Sequence, residues 1–179
     1  MRLRFVISRT ENFFFFITNL SAWHSSCRSD YNEEWLRGAP LTREERTALN
    51  NVRTVLARHT FRASPQGTVY AGMPIFLAPE RRKWEKLRQT LSEKEYGVFS
   101  RARIAFRKRH GALWEKKPVA EWKTQLSKTA RSVRGRSFLR DVETLLGTRT
   151  HTGRLTVHLL TSPSVKRAVS GGANLGQQD

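Results

Sequence analysis

Phe13, Phe14, Phe15, Phe16 and Ile17 form the most apolar run of the sequence, and any fold of this chain has to bury it. The run is too short to span a membrane, which takes about 20 residues. Ser8, Arg9, Thr10, Glu11 and Asn12 interrupt the apolar stretch ahead of it, and no clean small-x-small cleavage site follows, so it does not read as a signal peptide. Its aromatic and β-branched content reads as a buried strand. Arg4 to Ile7 reads as a second β-prone segment, paired with the first across the polar Ser8–Asn12 stretch.

Beyond the run the apolar period changes to that of a helix. Leu20, Trp23, Cys27, Tyr31 and Trp35 recur at three- and four-residue steps and predict one amphipathic helix, with Ser21 in its first turn, Gly38 ending it and Pro40 preventing its return. Thr42 and Glu45 have capping-box spacing, and Leu49, Val52 and Leu56 continue the apolar face of the helix they open. Pro and Gly punctuate Thr60 to Pro79, which reads as a long irregular loop. Helix resumes near Pro79 with Trp84, Leu87 and Leu91 inward. A second capping box, Ser92 and Glu95, starts a long stripe through Tyr96, Phe99, Phe106, His110 and Leu113. Pro118 opens a further helix with Val119, Trp122 and Leu126 inward, and Phe138 to Leu146 form a short apolar one stopped by Gly147. Leu155, Val157 and Leu159 alternate with Thr156 and His158 as a strand ended by Ser162-Pro163. The expected class is α+β, mainly α, with about six helices and a few short strands near the N-terminus and at 154–161. Residues 1–163 are read as one domain and 164–179 as a small, polar, flexible tail.

A length of 179 residues suffices for one domain with a real core. A hydrophobic content of 38% and five tryptophans argue against disorder. The single cysteine, Cys27, rules out an internal disulfide framework and leans the assignment towards the cytoplasm.

The chain carries 33 Lys and Arg against 15 Asp and Glu, a net charge of +18 that attracts nucleic acid, anionic lipid or acidic protein at long range. The excess is localised. Residues 79–117 hold 13 basic against 5 acidic side chains, whereas residues 1–40 hold 5 against 4. The densest piece contains Arg101, Arg103, Arg107, Lys108 and Arg109 and no acid. On a helix, Arg101, Lys108 and Arg109 are expected to face away from the aromatic stripe, with Arg103 and Arg107 at its edge near Tyr96 and Trp114. Such a face suits RNA or DNA, phosphates on the cations and bases against the aromatics. The same run also reads as a solvated helix face whose Arg stems pack over a core edge.

No catalytic constellation is apparent. The histidines His24, His59, His110, His151 and His158 contain no H-E-x-x-H pair. His24 and Cys27 lie one turn apart, but a structural zinc takes about four ligands, and a core histidine is the simpler reading of His24. Gly171-Gly172 and Gly176 are followed by no Lys-Ser/Thr and form no phosphate loop. Catalytic, cofactor-binding and metal-ligating residues are therefore expected to number none.

Several pieces together resemble the N-terminal half of a group of bacterial zinc metallopeptidase-like proteins. They are the Phe-rich run, Asn19-Leu20-Ser21-Ala22-Trp23-His24, Tyr31-Asn32-Glu33-Glu34-Trp35, the strand Leu155–Leu160, and Gly171-Gly172-Ala173-Asn174. In that group a zinc-binding H-E-x-x-H helix follows later. The resemblance implies a non-catalytic N-terminal part of such a protein, as a truncated product, a fragment of a longer reading frame or a natural stand-alone remnant, with no ligand or catalytic glutamate carried onto any position here. Two other functions follow from the residues themselves: nucleic-acid binding through 101–109, and protein interaction through the Thr60–Pro79 loop.

Overall fold

A computed structural model describes residues 2–23, 27, 29–58, 78–115, 119–132, 140, 144 and 154–159. Strand β1 spans Arg2–Ile7 and gives way at Ser8 to helix α1, Arg9–Leu20. The Phe run is therefore helical and not a strand, and it does not pair back on β1. Ser8 explains the switch. Its backbone is extended and its Oγ accepts the Glu11 N–H at 3.0 Å, an N-cap that satisfies a donor the first helical turn leaves open.

Every residue of α1 from Glu11 to Leu20 is buried. A helix buried on all sides needs other elements around it, and α1, with Glu11, Asn12, Thr18 and Asn19 buried beside its apolar residues, is so surrounded. Phe14 stacks on Phe99 with ring centroids 4.8 Å apart, and Phe16 meets Trp35 at 5.1 Å and Phe106 at 5.6 Å. Phe15 lies edge-on to Tyr31 and Trp35, and Phe13 contacts Trp84 and His110. Full burial of each such ring is worth about 1.5–3 kcal/mol, so these four side chains organise the core.

The helix expected across Leu20–Trp35 is divided. Helix α1 ends at Leu20, with Ser21 as its C-cap, Ala22 takes a positive φ of 47°, and α2 begins again at Ser29 and runs to Leu36. A left-handed alanine is uncommon and locally unfavourable, so the reversal is held by its surroundings. Asn19 Nδ2 donates to Asn32 Oδ1 at 2.8 Å across the two helices, and Ser21 Oγ donates to Thr18 O at 2.7 Å. Tyr31 and Trp35 then return to the core. Gly38, at φ +93°, reverses the chain after α2.

Helix α3, Arg43–Arg58, starts with the expected reciprocal cap between Thr42 and Glu45 and buries Leu49, Val52 and Leu56. A 3₁₀ turn, Glu80–Arg82, leads from Pro79 into α4, Lys83–Thr90. The Ser92–Glu95 capping box is formed at the start of α5, Glu93–Ala105. The long stripe is bent at Phe106, whose φ of −93° and ψ of 3° separate α5 from α6, Arg107–Glu115. Hydrogen bonding nevertheless carries through, from Phe106 N to Ala102 O and from His110 N to Phe106 O.

Helix α7, Val119–Arg131, packs on β1, with Trp122 half-buried and Leu126 exposed rather than inward. Strand β2, Arg154–Leu159, runs parallel to β1, pairing Arg2 with Arg154 and Ile7 with Leu159. The two strands sit in a mainly helical fold of seven α-helices among the described residues. Of the expected helix at Phe138–Leu146 only Arg140 and Thr144 are described, and the Thr60–Pro79 loop up to residue 77 and the 164–179 tail lie outside the described residues.

Candidate functional site

Helices α5 and α6 place the five cations of the basic run very differently. At about 100° per residue, Arg103, Arg107, Ile104, Lys108 and Arg101 succeed one another across an arc of about 160°. Phe99, Ala102, Phe106, Arg109 and Leu113 occupy the opposite arc. The first arc is solvent-facing: Arg101, Arg103, Arg107 and Lys108 are exposed, and Ile104 among them is 71% exposed. Arg101 lies back along α5 so that a Cβ built on Gly97 would sit 3.4 Å from its Nη1. Arg101, Arg107 and Lys108 form no ion pair with any described residue.

Arg109 is turned inward, against expectation. Its Nε donates to Glu45 Oε1 at 2.8 Å and its Nη2 to Glu45 Oε2 at 2.9 Å, a bidentate fork. Nη1 donates to Ala39 O at 2.8 Å and Nη2 to Pro40 O at 3.0 Å. The reason is the position of the buried face. Ala102, fully buried, extends that face toward Arg109, and an alanine adds nothing to an aromatic count. The hydrogen bonds from Arg109 hold the Glu45 carboxyl below its ordinary range against the opposing effect of burial, with Thr42 assisting. Arg109 thus ties α6 to α3 and to the turn after α2, with four of its five N–H donors committed to protein acceptors.

Arg103 is also positioned by a partner. Its guanidinium carbon lies 4.6 Å from the centre of the Trp84 ring, where a cation is attracted by the ring face. Trp84 is itself fixed by Phe13 at 6.0 Å and Tyr96 at 6.5 Å, and Arg88 lies 5.9 Å from the Tyr96 ring centre. The aromatic beside Arg103 is therefore Trp84 of α4, not Tyr96 or Trp114. Trp114 instead stacks on His110 at 6.2 Å.

Burial holds the His110 imidazole down at about 4, with the nearby Arg9 adding to the effect. His110 is accordingly neutral at physiological pH and packs as an aromatic between Phe13 and Phe16.

A second polar group sits where β1 enters α1. Lys83 Nζ meets Glu11 Oε1 at 2.5 Å, with the two side chains 3% and 0% exposed. Glu80 accepts hydrogen bonds from Ser8 Oγ, Thr10 N and Thr10 Oγ1. Burial pushes the Glu80 carboxyl up, and these donors outweigh it and hold it low. Asn12 Nδ2 donates to Ser8 O at 2.8 Å and to Leu159 O at 3.0 Å, joining α1 to the end of β2. Each of these groups is paired with a protein partner, which is the arrangement of a structural tie. The spacing Ser8-x-x-Glu11 ahead of an apolar run is the sequence signal for its location.

No group of three or more His, Cys, Asp and Glu side chains converges as a metal site among the described residues. His24 and the Gly171–Asn174 segment lie outside those residues. Cys27 Sγ lies 3.7 Å from Thr18 O, at the side of α1. No described helix is long and apolar enough to cross a membrane. Comparison with protein families, curated proteins and solved structures finds no match to this chain.

Proposed function

We propose that this protein binds the phosphate backbone of a nucleic acid through the exposed arc of α5 and α6. The observation that supports this is the alignment of Arg101, Arg103, Arg107 and Lys108 on one side of the helix pair, with no ion pair to a described carboxylate. Exposed cations with no ion pair to a described carboxylate can neutralise phosphates and so release the counterions condensed on the nucleic acid. The remaining excess charge of the chain, +18 in total, strengthens the encounter without choosing its site. Arg109 has no part in the interface because its fork is committed to Glu45.

The test is the salt dependence of binding to a labelled polynucleotide. The triple change Arg101→Ala, Arg107→Ala and Lys108→Ala should reduce the slope of log K against log salt by about 2–3 units. A matched triple change on exposed positions of α3, Arg43→Ala, Arg53→Ala and Arg58→Ala, should leave more of the slope in place. Equal losses from both triples would mean net charge alone drives the association and would overturn the assignment of the site.

A further inference from the structure

The exposed arc borders a seam between α4 and α5, and the seam carries aromatic rings as well as charge. Trp84 and Tyr96 meet across it at 6.5 Å, Arg103 lies over the indole, and Arg88 lies beside the phenol ring. Both rings are half-buried, and both arginines are exposed. Trp84 is backed by Phe13 of the central helix, and the Arg103 guanidinium lies over its ring. A guanidinium held in this way presents a planar cation on which a nucleic-acid base can stack. Ile104 adds an apolar contact beside it, on the same arc as Arg107 and Lys108.

The availability of base faces discriminates between forms of nucleic acid. In a duplex each face is covered by the next base pair and cannot stack on Arg103, whereas an unpaired strand can splay its bases onto such a platform. A single strand can lie along the seam with its bases turned in and a phosphate on Arg107, the cation next to Arg103 on the arc.

We infer that the ligand class is single-stranded RNA or DNA, stacked on the Arg103–Trp84 platform. This inference rests on the nucleic-acid reading above. Fluorescence anisotropy with labelled oligo-dT, oligo-U and a DNA duplex of equal length, at several salt concentrations, tests it. Both single strands should bind about tenfold or more tighter than the duplex, in line with the contribution of a stacked base. Arg103→Lys keeps the charge and removes the planar group. It should weaken single-strand binding about tenfold and duplex binding by a much smaller factor, because the charge stays while the stacking plane is lost. Arg88→Lys, on the other ring of the seam, should act in the same direction by a smaller factor. Equal affinity for single strand and duplex, or an Arg103→Lys variant that binds single strands like the parent, would overturn the inference and leave backbone binding standing. Absence of salt-dependent binding to all three probes would overturn both.

Discussion

Arg109→Ala should be among the most damaging single changes outside the apolar core. The side chain makes four hydrogen bonds, two to Glu45 and one each to Ala39 O and Pro40 O. The Arg109 and Glu45 side chains are 14% and 6% exposed, so the pair is shielded far more than a surface salt bridge. Removing one member of a buried pair leaves the other's charge without compensation and costs about 3–5 kcal/mol. Thr42 continues to serve Glu45, and the peptide carbonyls can turn to water, which favours the low end, about 3 kcal/mol. For a chain of this size that lowers the thermal midpoint by about 6–12 °C. Arg109→Lys retains the charge but not the fork and should lose about half as much. Chemical denaturation of wild type, Arg109→Ala, Glu45→Gln and the double variant gives the coupling directly. A loss under about 1 kcal/mol would place the pair with exposed salt bridges and refute the claim that it clamps α6 to α3. The pH dependence supplies a second reading. The Glu45 carboxyl is held below its ordinary 4.5 in the folded state. Its contribution is therefore complete above that value and is lost as pH falls through the lower folded value. Arg109→Ala should shrink this acid-side loss without abolishing it, because the Thr42 hydrogen bonds remain.

His110 provides a separate pH signature. Its ordinary value is 6.5 and its folded value is about 4. The unfolded chain takes up a proton that the native state refuses, so stability should fall by about 3 kcal/mol as pH drops through that window. Urea unfolding at several pH values should show this loss in the wild type and its removal in His110→Phe, which keeps a ring between Phe13 and Phe16. The Lys83–Glu11 pair is expected to behave as a buried tie. Lys83→Met alone should cost about 3–5 kcal/mol, and adding Glu11→Leu should recover much of it. Equilibrium denaturation of the single and double variants checks this, and a double variant worse than the single would contradict it.

Where the apolar residues lie on one face of a helix, the sequence was readable. The Thr42–Glu45 and Ser92–Glu95 caps, the inward positions of Leu49, Val52 and Leu56, and the strand at 154–159 are all as the spacing predicts. The Phe run was not readable in that way, because a segment buried on every side has no period. Its β-propensity favoured a strand, and the decisive information was the N-cap at Ser8, whose Ser-x-x-Glu spacing is easily taken for a polar interruption. The break at Ala22 was hidden for a different reason: the three- and four-residue steps continue across it, although the backbone does not. In the basic run, residue type and density identified the region. Which of its arginines faces inward depended on Ala102 and on Glu45 of a helix more than 50 residues earlier, and neither is visible locally.

The parallel pairing of β1 with β2 joins residues about 150 positions apart, and every described helix lies in the chain between them. Bringing the ends of such a segment together from an unfolded chain carries an entropy cost of about 4 kcal/mol before any ladder bond forms. A two-stranded ladder of six residues is too small to meet that cost by itself. The strands can zip only after α1 and the helices around its phenylalanines have shortened the loop for them. The ladder therefore acts as a latch on a body that is already assembled, and Asn12, which reaches from the first turn of α1 to the carbonyl of Leu159, is where the latch meets its catch.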